Sequence, residues 1–282
     1  MKVLITGHAG ILGRATLETL RRSEVEAVGF DLPQMDITDA GRVAAAVNRE
    51  RPEVVINCAA FTRVDECESQ RELCFAINAA GAGNVAAAAA EAEARLIHIS
   101  TDYVFDGNTR APYTEEAEPR PLSAYGESKL AGEREVAAAA ADHVILRTAG
   151  LYGVGGVSFV SKILTRAKAG EALRVVSDQY VSPTYAGHLA EGLGRLLEAK
   201  WRGVLHLAGT GGASWFEVAA EILRLTGYEV SLEAVEAAEL GLAATRPAYS
   251  VLDCSRYAGL TGHAMPPWPE GLAAYLREIK EI

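Results

Sequence analysis

The stretch Ser123-Ala124-Tyr125-Gly126-Glu127-Ser128-Lys129 places a phenol and an ammonium four residues apart. On a helix, side chains at i and i+4 share one face. An ammonium beside a phenol favours the phenolate and lowers the tyrosine pKa from its ordinary value of about 10, which makes Tyr125 a usable proton donor near neutrality. Such a pair can carry carbonyl chemistry. Ten tyrosines and six lysines in 282 residues give roughly 0.2 matches to this spacing by chance, so the pair gains meaning from its company.

That company begins at the N-terminus. Val3-Leu4-Ile5-Thr6 reads as a buried strand running into Gly7-His8-Ala9-Gly10-Ile11-Leu12-Gly13, and a helical pattern follows through Leu17 and Leu20. In a strand–loop–helix unit the first glycine permits a tight turn, the second lets backbone N–H groups approach a diphosphate, and the third lets helix pack close to sheet. The order fits a dinucleotide site with Gly7, Gly10, Ile11, Leu12 and Gly13 at the diphosphate. A second strand, Val25 to Phe30, ends in Asp31, 18 residues after Gly13. A carboxylate there can accept from both adenosine ribose hydroxyls and would repel a 2′-phosphate, which favours NADH and leaves NADPH open, since Arg14 could offset the repulsion. Asp36 and Ile37 are placed along the adenine, and Asp39 as the cap of a helix starting near Ala40. His8 either borders the diphosphate or is an exposed loop residue.

The elements that must hold these groups alternate. Strand-like runs Val54 to Asn57, Leu96 to Ser100 and Val144 to Arg147 are separated by helical patterns within about 70–93 and 124–140. Alternation of this kind implies a parallel sheet covered on both faces, and the alanine runs at 86–90 and 137–141 read as helix packed closely on it. After Gly150 the chain turns glycine-rich, then gives a helix near 158–168, a strand and helix within 174–200 that look like a return to the sheet, a strand within 201–207 and a helix near 215–226. The expected fold is therefore α/β, a Rossmann-type doubly wound parallel sheet with an interleaved, smaller C-terminal substrate lobe. Residues 1–149, rejoined by about 174–207, would form the nucleotide-binding part, and 150–173 with 208–282 the lobe. Ligands of such sheets lie at the carboxyl ends of the strands, which draws Ala59 to Thr62, Ser100 to Asp102 and the Tyr125/Lys129 helix to one crevice.

Composition narrows the function. Hydrophobic residues make up 49% and charged residues 23% of the chain. A net charge of −10 with no basic run argues against nucleic acid as a partner. No leader is expected, no apolar stretch is read as long enough for a membrane span, and a cytoplasmic enzyme is expected. Cys58, Cys67, Cys74 and Cys254 have no Cys-x-x-Cys or disulfide-framework spacing, and the six histidines form no metal motif, so no metal is assigned.

Ser100-Thr101-Asp102-Tyr103-Val104-Phe105-Asp106-Gly107 makes a resemblance specific. Together with Gly7 to Gly13, Asn57 to Thr62 with Val64-Asp65, Tyr125 to Glu133, Arg147-Thr148, Leu151-Tyr152-Gly153, Asp178-Gln179, Pro183-Thr184, Arg246 to Ser250 and Leu252-Asp253, it resembles the dTDP-4-dehydrorhamnose reductases, extended short-chain dehydrogenase/reductases, over nearly the whole chain. The resemblance implies that Tyr125 protonates a ketone oxygen, that Lys129 holds the nicotinamide ribose and depresses the Tyr125 pKa, and that Thr101 hydrogen-bonds the reacting oxygen. It implies Ala60, Phe61 and Thr62 flanking the nicotinamide half and Asp102 beside the sugar. Gln179 and Arg246 would contact the nucleotide-sugar, Arg246 being nearly as well read as a structural ion pair. The implied reaction is reduction of dTDP-4-dehydro-L-rhamnose to dTDP-L-rhamnose.

Two departures stand out. Arg14-Ala15 replace the region where some members carry a glutamate for a magnesium-bridged dimer, which leaves a homodimer open without a metal link. Arg147-Thr148-Ala149-Gly150 lacks the family's tryptophan. A dehydratase is disfavoured because Asp102 is followed by Tyr103 and not by a second carboxylate. Another nucleotide-sugar epimerase or reductase, and a non-catalytic NAD(P)-binding regulatory subunit like the beta subunit of methionine adenosyltransferase, remain as alternatives.

Overall fold

A computed structural model describes all residues 1–282. Its first half runs β1 (Lys2–Thr6), α1 (Ile11–Arg22), β2 (Glu26–Phe30), α2 (Ala40–Glu50), β3 (Val54–Asn57), α3 (Val64–Ser69), α4 (Arg71–Phe75), a π-helical turn (Ala76–Gly81), α5 (Ala82–Glu91), β4 (Arg95–Thr101), α6 (Ala124–Ala139) and β5 (His143–Thr148). Next come β6 (Leu151–Tyr152), α7 (Phe159–Lys168), β7 (Leu173–Val176), β8 (Tyr180–Val181), β9 (Thr184–Tyr185), α8 (Ala186–Leu196) and β10 (Gly203–His206). The chain closes with β11 (Ala213–Ser214), α9 (Trp215–Thr226), β12 (Leu232–Val235), α10 (Ser255–Thr261) and α11 (Trp268–Glu278).

Six strands form one parallel sheet in the order β10-β5-β4-β3-β1-β2. Successive side chains of a strand point to opposite faces, and the core divides accordingly. Val3, Ile5, Val54, Ile56, Ile97, Val144 and Leu146 pack with α1 and α8, whereas Leu4, Val55, Leu96 and Ile145 pack with α2, α5 and α6. Strands buried on both faces read as unbroken apolar runs, which is why the α/β expectation was accessible from sequence. A third apolar cluster, including Val160, Leu164, Val218, Ile222 and Leu272, supports the smaller lobe.

Three local expectations need correction. Leu173–Val176 does not join the six-stranded sheet: it pairs in parallel with Leu232–Val235, and the chain returns to the sheet through α8 and β10. A four-residue apolar run carries no mark of which sheet it will join. The second alanine run also differs from the first. Ala86, Ala88 and Ala89 are buried against the sheet, but residues 137–139 are exposed at the end of α6. Finally, the helical run Arg71–Glu91 does reach the length and apolarity of a membrane span. Half of it is buried, with Ala82, Val85, Ala86 and Ala89 in the core beneath α6, so its apolar character is accounted for by packing.

Candidate active site

The sheet brings the glycine loop, the 59–61 segment, the end of β4 and the start of α6 to its carboxyl edge. Gly13 shows why the loop has its composition: a Cβ there would lie 2.2 Å from Gly7 O, so any side chain would force α1 away from the loop. The first N–H groups of α1 lack intrahelical partners, and they point the positive end of the helix at the loop. A cleft of about 610 Å³ opens beside it, lined by Gly7, Gly10, Asp31, Asp36, Ile37, Ala60 and Phe61 among others. Asp31 accepts from Ala9 N at 2.9 Å through Oδ2 and from Leu32 N at 2.8 Å through Oδ1. These features fit a nicotinamide dinucleotide. Leu12 is buried in the core, Ile11 packs beneath Gly153 and Gly156, and Thr62 is exposed outside the cleft lining, so any cofactor contact of Leu12 is a main-chain contact. Arg14 is turned to Glu18 at 3.1 Å and offers no cation beside Asp31. Asp36 caps the Thr38 turn, and Asp39 caps α2.

Ser123 caps α6 by accepting from Gly126 N, which starts the helix so that Tyr125 and Lys129 fall on one face. Gly126 is required there, because a Cβ would meet Tyr103 O at 2.2 Å. Tyr125 packs against the small cluster of Phe61, Cys67, Cys74 and Ala124 and meets Tyr103 edge-on at 5.6 Å. Phe61 lines the first cleft, and Tyr103 lines a second one of about 640 Å³. Tyr125 lines neither cleft itself but packs beside residues that line each. Thr101 lies beside Tyr125, its Oγ1 donating to Asp102 Oδ1 and accepting from Tyr103 N.

The electrostatics differ from the sequence expectation. Burial raises the Tyr125 pKa, and the neighbouring Thr101 hydroxyl opposes this only in part. Lys129, 2% exposed, donates to Ile99 O at 2.6 Å, and burial lowers its pKa to about 8. Lys129 is therefore a group that can change charge near working pH, while Tyr125 keeps its proton until a partner stabilises the phenolate.

Asp102 does not line either cleft. The turn after β4 directs it inward, where Oδ1 accepts from Thr101 Oγ1 at 3.0 Å and Oδ2 from Ser250 Oγ at 2.6 Å. Burial raises its pKa to about 6. Its contact is with Thr101, which it orients. The second cleft is lined by Gln179 and Arg246, with Phe159 and Trp215 as an aromatic wall (ring centroids 4.5 Å apart) and Lys162, Arg166 and Arg174 as cations. Arg246 forms a two-pronged pair with Asp65, at 3.1 and 2.7 Å, which ties the C-terminal segment to α3. Lys162 has no ion-pair partner.

Sequence reasoning passed over Asn78. It accepts from Phe61 N at 2.8 Å and donates to Phe61 O and to Ser128 Oγ, both at 3.0 Å, tying the cleft beside the glycine loop to the helix α6 that carries Tyr125 and Lys129. Its signal was the π turn within an otherwise α-helical pattern, a distortion that commonly occurs at functional sites but has no spacing signature. No group of three His, Cys, Asp or Glu side chains is placed to hold a metal ion.

A dinucleotide cleft and a Thr/Tyr/Lys set at the carboxyl edge of a Rossmann sheet define an NAD(P)H-dependent oxidoreductase of the extended short-chain dehydrogenase/reductase class. The chain belongs to the dTDP-4-dehydrorhamnose reductase family, whose model, the RmlD substrate binding domain, matches residues 1–281. It is 38% identical to the spore coat polysaccharide biosynthesis protein SpsK of Bacillus subtilis, over 98% of this chain and 97% of the relative. It is 39% identical to the dTDP-4-keto-6-deoxy-D-glucose reductase of Streptomyces niveus, over 92% of this chain and 91% of that one. The crystal structure of dTDP-4-dehydrorhamnose reductase from Bacillus anthracis in complex with NADP superposes with a TM-score of 0.95 at 40% identity, covering 98% of this chain and 99% of the other.

Proposed function

We propose that this enzyme reduces the 4-keto group of a deoxy sugar carried on a nucleoside diphosphate, converting dTDP-4-dehydro-L-rhamnose to dTDP-L-rhamnose. The observation that carries the reading is the position of Tyr125 beside residues that line the dinucleotide cleft and a second cleft with an aromatic wall and an unpaired cation. Tyr125 gives its proton to the ketone oxygen, and Thr101, whose hydroxyl proton rests on Asp102 in the free enzyme, turns that proton to the same oxygen when the ketone is bound. Lys129 holds the nicotinamide ribose and favours the phenolate left on Tyr125. The bound dinucleotide supplies a hydride to the carbonyl carbon. Ketone, reduced cofactor and one proton become alcohol and oxidised cofactor. Gln179 and Lys162 contact the nucleotide-sugar, and Phe159 and Trp215 offer the face on which its base stacks. The reading sets the enzyme in the cytoplasm, where a nicotinamide pool supplies the hydride.

The test is consumption of reduced nicotinamide with enzymatically generated dTDP-4-dehydro-L-rhamnose, followed by identification of the sugar product. Stoichiometric formation of dTDP-L-rhamnose is expected. Cofactor binding without turnover on this sugar would overturn the reading and return the regulatory alternative. Because the S. niveus relative carries the name of a dTDP-4-keto-6-deoxy-D-glucose reductase, that sugar is the comparison substrate.

Two variants probe the flanks of the site. Lys162→Ala removes a cation with no partner of its own, so KM for the nucleotide-sugar is expected to rise about tenfold with kcat nearly unchanged, as uniform binding is lost. A fall in kcat at constant KM would show that Lys162 acts elsewhere. We assign Asp31 to the ribose, which favours NADH. Asp31→Ala removes the negative charge and also frees the Ala9 and Leu32 N–H groups, two donors suited to a phosphate. The ratio of kcat/KM for NADPH to that for NADH is expected to rise about tenfold or more, equivalent to about 1.4 kcal/mol; an unmoved ratio removes Asp31 from the ribose.

A further inference from the structure

Behind the proposed catalytic helix runs a buried file of polar groups that the mechanism above leaves unused. Thr6, Asn57 and His98 are strand partners in register on β1, β3 and β4, so their side chains stand in a row on one face of the sheet. Ala59 N donates to Thr6 Oγ1 at 3.3 Å, Thr6 Oγ1 donates to Asn57 Oδ1 at 2.6 Å, and Asn57 Nδ2 donates to His98 Nδ1 at 3.1 Å. His98 Nε2 then faces Lys129 Nζ at 3.5 Å. Thr6, Asn57 and His98 are each 1% exposed.

The direction of the file is fixed by counting protons. The 2.6 Å contact has the length of an O–H···O bond and is short for N–H···O. Turning the Asn57 amide over would leave the buried Thr6 proton without an acceptor, a costly arrangement. Asn57 therefore presents its NH2 to His98, Nδ1 accepts, and the ring proton resides on Nε2. That N–H is aimed at the Lys129 nitrogen, where it opposes an ammonium and accommodates an amine.

The other groups around Lys129 do not supply this effect. Glu133, one turn along α6, favours the ammonium, but its carboxylate is bound by Arg147 and Ser100. Burial pushes the Cys58 thiol up to about 12, which keeps it neutral. Cys74 is engaged by Cys67 and Ser128, and Tyr125 on the same helix face is protonated.

We propose that His98, held as its Nε2–H tautomer by Thr6 and Asn57, is a positioning residue that sets the pH at which Lys129 gains and loses its charge. The proposal deepens the assignment of Lys129 in the reductase reading and rests on it. Burial of both groups acts in the same direction, holding His98 neutral and Lys129 close to working pH.

The test follows the nitrogen shifts of His98 and the Lys129 side-chain titration by NMR in the full chain, with and without oxidised cofactor, Lys129 being assigned by its loss in Lys129→Met. Wild type is expected to show an acceptor at Nδ1 and a proton on Nε2. His98→Phe keeps an aromatic ring but removes the N–H aimed at Lys129, so the titration midpoint should rise by about one pH unit. Asn57→Asp should raise it too with His98 retained, because a carboxylate takes the Nδ1 proton and turns a bare Nε2 to Lys129. The alkaline limb of kcat should move with the midpoint, whereas a purely structural role would lower kcat equally at all pH. A proton found on Nδ1, or a midpoint unmoved in the folded variants, overturns the proposal. The titration needs no sugar substrate, so absence of turnover would count against the reductase reading alone.

Discussion

Replacing Tyr125 by phenylalanine is expected to lower kcat by about 10²–10⁴-fold while leaving the dissociation constant of the cofactor within about twofold. The ring keeps its packing on the Phe61, Cys67, Cys74 and Ala124 cluster and its edge-on meeting with Tyr103, so the surroundings of both clefts stay filled. What disappears is one hydroxyl, the proton donor proposed for the ketone oxygen. Thr101→Val should cost less, about 10–10²-fold, since it removes a hydrogen bond to the reacting oxygen but no transferable proton. If Tyr125→Phe turns over at the wild-type rate on the 4-keto sugar, another acid supplies the proton and the assignment fails. Equal losses in cofactor binding and kcat would point to collapse of the cleft.

The pair at 125 and 129 was legible because an α-helix forces i and i+4 together whatever surrounds it. The glycine loop was legible because close approach leaves no room for a Cβ, as at Gly13. What sequence could not deliver was the electrostatic state. The ammonium expected to depress the Tyr125 pKa donates instead to Ile99 O, and burial moves both groups in directions that depend on tertiary surroundings. Asp102 shows the same limit: its place in the motif suggested a sugar contact, but two neighbouring hydroxyls, one from a residue 148 positions away, hold it inward. Asn57 entered only as the end of a strand-like run and the first residue of a motif block, and His98 only as one of six histidines without a metal motif. Their connection depends on strand order, which single-strand patterns do not encode.

Arg147→Ala is expected to reduce the stability of the fold by about 3–5 kcal/mol, measured by urea unfolding, because it strands the carboxylate of Glu133 in the core. Both side chains are nearly inaccessible, 3% and 5% exposed, and they meet through two parallel bonds of 2.9 and 2.6 Å. Ser100 Oγ adds a third bond to Glu133 at 2.5 Å, and the guanidinium lies over the Phe105 ring at 5.1 Å. The double replacement Arg147→Met with Glu133→Leu should recover most of the loss, since a buried pair exchanged for apolar groups of similar volume is close to neutral. That variant separates two roles which the single change confounds. Glu133 lies one turn beyond Lys129 and two beyond Tyr125 on α6, and its partners come from β4 and β5, so the cluster fixes the rotation of the helix against the sheet edge. A double variant with near-native stability but kcat reduced tenfold or more would show that the buried charges align Tyr125 and Lys129; one with native stability and native kcat would show that apolar packing alone can hold the helix in register.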